Sequence, residues 1–370
     1  MFVFLNGNKF TLGDTSKHMT YNGCDVWITT ANDKVKIARF TGFGANTLQE
    51  IDVSSYFSNP CEYITSGAGK VYVFDGKTPT EPQHDEKLIT KFIIIDPASK
   101  NITRQVVLPW EAHCFPVYGA NKIWFSTPAS TIDTTTKQKL FYFDLSTGIF
   151  SSLITINAPT QYSARVLHYG GDAFIFTLNL NGSSITKFDA YTGAEVIEIL
   201  VNRKPLTAWT NNNRDLLIGS FNGMVSTVNV STNGVTNNYS TNGLANGIVD
   251  DDNGFVWAAQ PNLVRVKKAN NTDNFRIMNG QDKDYSIEAF SETVFKEILI
   301  SNPYTHQYWD GDSIETKTEK QYIILLTQNS LFVAADFSDS WDLEEVRDYY
   351  VAVRGTSIIA TGPNLYYGET

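Results

Sequence analysis

Five histidines stand in the chain: His18, His84, His113, His168 and His306. Imidazole changes charge near neutral pH, so these are the first candidates for general-base or metal chemistry. His18, His113 and His168 each precede a glycine-containing turn, at Asn22-Gly23, Gly119 and Gly170-Gly171. Three histidines so placed can line one channel and form a base or metal site, the chemistry of a lyase-type or lactonase-type enzyme. Their offsets of five, six and two residues put them at different depths, so single histidines bonded to nearby backbone are the simpler expectation. Asp250, Asp252, Asp310 and Asp312, in two short acidic runs, offer the oxygen ligands that calcium takes. Neither run carries the full calcium loop with its closing Glu, so turns are the expected role and no cofactor is expected. Trp309 and Trp341 lie in turn-like or helical surroundings and are the candidate contact aromatics. Cys24, Cys61 and Cys114 are odd in number and far apart, which suits buried free thiols. Phosphate-loop, nucleophile-elbow and zinc-helix motifs are absent.

The elements that must position these residues announce themselves by recurrence. Lys139-Leu-Phe-Tyr-Phe-Asp144-Leu-Ser-Thr-Gly148 is an apolar strand followed by an Asp-led turn. Ser184-Ile-Thr-Lys-Phe-Asp189-Ala-Tyr-Thr-Gly193 repeats it 45 positions later. An earlier copy, Lys91 to Lys100, has Asp96 48 positions before Asp144, and a looser one, Val225 to Gly234, has Asn229 40 positions after Asp189. Asp or Asn can bond its side chain to backbone two residues on, and Gly supplies positive φ, so each copy closes a hairpin. Upstream of each lies another apolar strand: Lys70 to Phe74, Lys122 to Phe125, Asp172 to Phe176 and Asp215 to Ile218. A period of 40 to 50 residues holding several short strands is the signature of a β-propeller, one blade per repeat.

Two stretches resemble known propeller repeats. Gly243 to Trp257, with Asn246-Gly-Ile248 and Asp252-Asn-Gly254-Phe-Val-Trp257, resembles the two-component-regulator propeller repeat. The units ending Asp144-Leu-Ser-Thr-Gly148 and Asp189-Ala-Tyr-Thr-Gly193 resemble the Asp-x-x-Thr-Gly hairpins of quinoprotein-like repeats. Sensors, lyases, dehydrogenases and scaffolds share such repeats, so the resemblance implies a fold and leaves function open.

The expected architecture is therefore all-β: one propeller domain over 1–370, of four-stranded antiparallel blades. Seven blades are favoured over eight. Clear blades run over 17–279, and an irregular acidic portion over 281–370 closes the ring. An amino-terminal strand completing the last blade would tie both termini into it. Asp339 to Asp348 is the one short helix expected.

The 370 residues carry a net charge of -10, with 39 acids against 29 bases. Residues 281–348 hold 15 of those acids and 5 of the bases, so the surplus lies in the closing portion. Such a chain is not expected to bind nucleic acid, while a basic partner surface facing 281–348 is. Asn6-Gly7 interrupts the leading apolar run, so no signal peptide is expected, and no run suffices to span a membrane. With no catalytic motif, the expected function is a non-enzymatic interaction module in a larger assembly. Its Asn- and Thr-rich, low-charge composition suits a virion component, a bacteriophage tail or head-associated protein. The alternatives are the channel-histidine enzyme, a carbohydrate-binding or ligand-binding propeller, and a cytoplasmic location.

Overall fold

The computed structural model describes residues 9–23, 25–39, 47–79, 87–128, 138–156, 164–168, 174–179, 182–202, 204–210, 215–241, 244, 247–250, 255–260, 263–268, 276–277, 295–300, 304–309, 314–319, 322–335, 358–361 and 364–367. It is an all-β chain of antiparallel sheets, most of them four-stranded. Strand β1 (Lys9–Thr11) leads. The first quartet is β2 (Ser16–Asn22), β3 (Asp25–Thr30), β4 (Lys34–Arg39) and β5 (Thr47–Asp52), paired in chain order. An eight-stranded sheet follows: β6 (Cys61–Gly67), β7 (Lys70–Asp75), β8 (Leu88–Ile95), β9 (Ile102–Gly119), β10 (Lys122–Ser126), β11 (Lys139–Asp144), β12 (Ile149–Phe150) and β13 (Ile154–Thr155).

That sheet divides at β9. Ile102 to Val107, with Ala112 and His113 beyond a register shift, pair with β8, while His113 to Gly119 pair with β10. The first half of β9 thus completes a second quartet and the second half opens a third. The fourth quartet is β14 (Ala164–His168), β15 (Phe174–Asn179), β16 (Ser184–Asp189) and β17 (Glu195–Leu200). The fifth is β18 (Pro205–Thr210), β19 (Asp215–Ser220), β20 (Met224–Asn229) and β21 (Val235–Ser240). The sixth is β22 (Gly247–Asp250), β23 (Phe255–Gln260), β24 (Leu263–Lys268) and β25 (Arg276–Ile277).

The seventh quartet draws on both ends of the described chain. β26 (Phe295–Ile300), β29 (Tyr322–Thr327) and β30 (Ser330–Ala335) pair in that order, and β1 adds to the far side of β30. Between β26 and β29 the chain makes a separate hairpin, β27 (Tyr304–Trp309) with β28 (Ile314–Glu319), and β31 (Ile358–Thr361) pairs with β32 (Asn364–Tyr367). Among the described residues of the closing portion, the β27–β28 hairpin is what widens the spacing between β26 and β29. The segment expected to form a helix, 339–348, lies outside the described residues.

Burial explains why these segments are strands. The second strand of a quartet is covered on both faces: every residue of β3 and β10 is buried. Strands enclosed on both sides take continuous β-branched and aromatic runs, which is how Val26-Trp27-Ile28 and Ile123-Trp124-Phe125 read. The fourth strands are open, as in β5 and β17. Apolar layers join each quartet to the next. Trp27 and Ile37 meet Val71 and Ile93; Phe74 and Phe92 meet Phe125 and Phe143; Trp124 meets Ile175 and Phe188. Phe176 and Ile185 meet Leu216 and Val228, and Leu217 and Val225 meet Ile248 and Val256. β22 and β23 lie against β26, and Phe10, Leu331 and Val333 of the seventh quartet pack on Met19, Val26 and Ile28 of the first.

Candidate functional site

Five of the seven quartets open with a strand whose register shifts, the exceptions being β14 and β22. In β2, Lys17 and His18 stand opposite Thr29 alone, because the register moves between Ser16 and Met19. In β6 it moves between Cys61 and Tyr63, setting Glu62 apart, and in β26 between Phe295 and Glu297, setting Lys296 apart. In β9, Cys114 to Pro116 lie opposite Phe125 only, and Phe115 takes a φ of 53°. A bulky residue there is strained, and bulges re-aim side chains that a regular strand would alternate between faces.

The re-aimed side chains meet. His18 pairs through Nδ1 with Glu297 Oε1, and Glu297 Oε2 accepts a hydrogen bond from the Met19 backbone N–H at 2.8 Å. The His18 ring lies 4.9 Å from Tyr63 and, edge to face, 5.1 Å from Phe115. Lys17 Nζ donates to the Cys61 carbonyl at 2.5 Å and to Glu62 Oε2 at 2.9 Å. Lys296 Nζ donates to the Ser16 carbonyl, and burial holds its ammonium below the usual lysine range. Four quartets therefore send residues to one locus. It combines an imidazole steered by a carboxylate, two ammonium groups and an aromatic wall. His18 keeps 21% of its side chain exposed and Glu297 22%, so solvent reaches the pair.

The sequence candidates fall at different places. His113 is buried on β9, opposite Leu88 and Ser126. His168 ends β14 opposite Ile175, on an opening strand that pairs without a register shift. Trp309 closes strand β27 opposite Ile314, next to residues 310–313, which lie outside the described residues. Asp250 ends β22 and is half-buried. Asp252, Asp310, Asp312 and Trp341 lie outside the described residues. Among the described residues, no group of three or more His, Cys, Asp or Glu is placed to hold a metal ion. Cys61 is a buried free thiol, and burial pushes it up to about 12. No described helix is long and apolar enough to cross a membrane.

Glu297, Glu62, Lys17, Lys296, Tyr63 and Phe115 were not legible as site residues. The one sequence signal was a charged pair, Lys296-Glu297, inside the otherwise apolar run Phe295 to Ile300.

Further exposed apolar residues lie on the fourth strands and in nearby turns. Val196, Ile197 and Leu200 of β17 are exposed, Leu200 by 74%, and Ile149, Leu153, Tyr191, Phe221 and Val235 of the third to fifth quartets are exposed as well. β5 differs, since Lys34 and Lys36 bridge to its Glu50 at 2.7 and 2.5 Å. No family model and no curated protein matches the chain.

Proposed function

We propose that the chain is a rigid interaction module, a seven-bladed propeller serving inside a larger assembly such as a bacteriophage tail or head. Seven quartets packed in succession, the seventh in contact with both the sixth and the first, support the ring. The propeller-repeat resemblance at 243–257 agrees with it. The observation that carries the docking role is the apolar β17 edge. A six-residue edge strand without Lys or Pro, with Val196, Ile197 and Leu200 exposed between and beside Glu195 and Glu198, is a liability for a free protein and an asset for one that is covered. The acidic 281–348 portion gives the same module a sector suited to a basic partner surface.

Purified particles provide the test. The chain is expected at fixed stoichiometry, as a ring of about seven lobes in images, and Ile197→Lys with Leu200→Lys is expected to abolish incorporation while leaving the melting curve of the free chain intact. Recovery only as a free monomer, or normal incorporation of the double variant, would overturn the reading.

A further inference from the structure

We propose that His18 is a general base whose Nε2 activates water against a small carboxylic ester. The inference uses local geometry alone and is independent of the assembly role. A carboxylate beside Nδ1 draws the ring proton to that nitrogen and leaves the lone pair on Nε2. Glu297 is itself fixed, with one oxygen on His18 and the other on the Met19 N–H at 2.8 Å. Tyr63 and Phe115 set the plane of the ring. Nε2 meets no hydrogen-bond partner among the described residues, and the side chain is open to solvent. An imidazole serving only as a strut between strands has no need of a carboxylate with two fixed oxygens, an oriented ring and a free outer nitrogen.

The bulges strengthen this. His18, Glu62, Phe115 and Lys296 stand at register breaks in four different opening strands, and Phe115 holds a positive φ to keep its ring against His18. Backbone strain at a convergent, partly exposed cluster is the pattern of a site and not of a core. The Phe115 ring, half-buried and edge to face with His18, gives an apolar wall beside the imidazole, so the fitting substrate is an ester with an apolar acyl or aryl group. In the step, a water proton passes to Nε2 as the water oxygen bonds to the acyl carbon. The carbon–oxygen bond to the leaving group then breaks, and the departing oxygen takes the proton from Nε2. One water is consumed; one acid and one alcohol are formed.

The intact chain is assayed with p-nitrophenyl acetate and p-nitrophenyl butyrate. Saturable hydrolysis is expected, with the butyrate binding more tightly. His18→Gln should lower kcat/KM by about 100-fold or more. Glu297 acts through His18 as a positioning residue, so Glu297→Gln should lower kcat by about tenfold and leave KM in place. A rate no higher than that of free imidazole at equal concentration, or an unchanged rate in His18→Gln, overturns the proposal. If His18→Gln does not fold, carbethoxylation of the native chain decides. Loss of activity in step with modification of His18, mapped by mass spectrometry, supports the proposal, and full activity with His18 modified refutes it.

Discussion

Single residues set the turns that make the repeat. Asp144 Oδ1 accepts from the N–H groups of Ser146 and Thr147, both at 2.9 Å, and the Gly148 N–H returns to the Asp144 carbonyl at 2.8 Å. Asp96, Asp189 and Asn229 repeat this arrangement, with Lys100, Gly193 and Asn233 as the positive-φ residues. The sequence therefore located all four turns, although in the fourth Asn233 and not Gly234 takes the left-handed position. Lys100 is the poor fit, at a φ of 61°. Lys100→Gly is expected to stabilise the chain by about 0.5–1 kcal/mol, read as a higher guanidinium midpoint; a lower midpoint would contradict the strain. The carboxylates also make the turns sensitive to acid. Hydrogen bonds from Lys70 and the Ser99 N–H bring Asp96 down to about 2, and backbone donors lower Asp144 and Asp189. A depressed folded value means stability that is complete above the ordinary value of 3.8 and is lost as pH falls through the folded one. The melting temperature should therefore fall between pH 4 and about 2. In the triple variant Asp96→Asn, Asp144→Asn, Asp189→Asn that slope should flatten while the fold persists, because Asn229 already performs the same turn as an amide. An equally steep slope in the triple variant would assign the acid sensitivity to other groups.

At the scale of elements, the quartets grip one another through cations that reach into the next turn. Lys122 of β10 donates to the Ala190 and Tyr191 carbonyls, each at 3.1 Å, in the turn after β16. Lys187 of β16 does the same one quartet later, to the Val230 carbonyl at 2.7 Å and Asn233 Oδ1 at 3.0 Å. Burial lowers the Lys187 ammonium, yet Lys187→Met would leave a carbonyl and an amide oxygen unsatisfied in the seam. That variant should lose about 2–3 kcal/mol in denaturant unfolding and speed amide exchange in the Asn229 turn; unchanged exchange would show the clamp to be idle. Close approach matters equally. A Cβ on Gly67 would lie 2.0 Å from the Tyr118 ring, so Gly67→Ala must part β6 from β9, costing about 2 kcal/mol or more in the same assay. What the sequence revealed at this scale follows from periodicity. Apolar runs closed by Asp or Asn turns identify β8, β11, β16 and β20 as strands, and the apolar runs upstream of them identify β7, β10, β15 and β19, which two-sided burial demands. The site was hidden for the converse reason: a bulge suspends the alternation that tells which way a side chain faces. Nothing in the spacing of Lys17, His18 and Glu62 predicts their convergence with Glu297, which is 279 residues from His18. The β27–β28 hairpin was hidden too, as polar residues fill much of Tyr304–Trp309 and Ile314–Glu319 and leave no apolar run.

For the whole molecule, the decisive contact joins residues from opposite ends of the described chain. Phe10 pairs with Leu331, and Thr11 with Ser330, on the outer side of β30. The Leu12 N–H donates to the Asn329 carbonyl at 2.9 Å, and Ser16 adds an N–H to Gln328 at 2.8 Å and a hydroxyl to the Thr327 carbonyl at 2.6 Å. Phe10 and Leu12 are buried with Val26, Ile28, Leu331 and Val333, so β1 both caps an open sheet edge and fills the seam between the seventh and first quartets. Every other quartet is assembled from neighbouring chain, which can fold locally; this one waits for β29 and β30, more than 300 residues away, to form. The loop it closes is the longest among the described sheet pairings, and closing it carries a loop-entropy cost that only native packing recovers. A covalent tie should transfer much of that cost to the unfolded state. With Thr11→Cys and Ser330→Cys, oxidation is expected to raise stability by up to on the order of 4 kcal/mol over the reduced form, seen as a higher denaturation midpoint that thiol reductant reverses. Removing residues 1–12 should act oppositely, stripping two buried apolar side chains from the seam and exposing β30, with dye binding and a broadened transition. A truncated chain that melts as sharply and as high as the full one would show that β1 merely decorates β30. The proposed ring would then hold through the remaining contacts of β26, β29 and β30 with the first and sixth quartets.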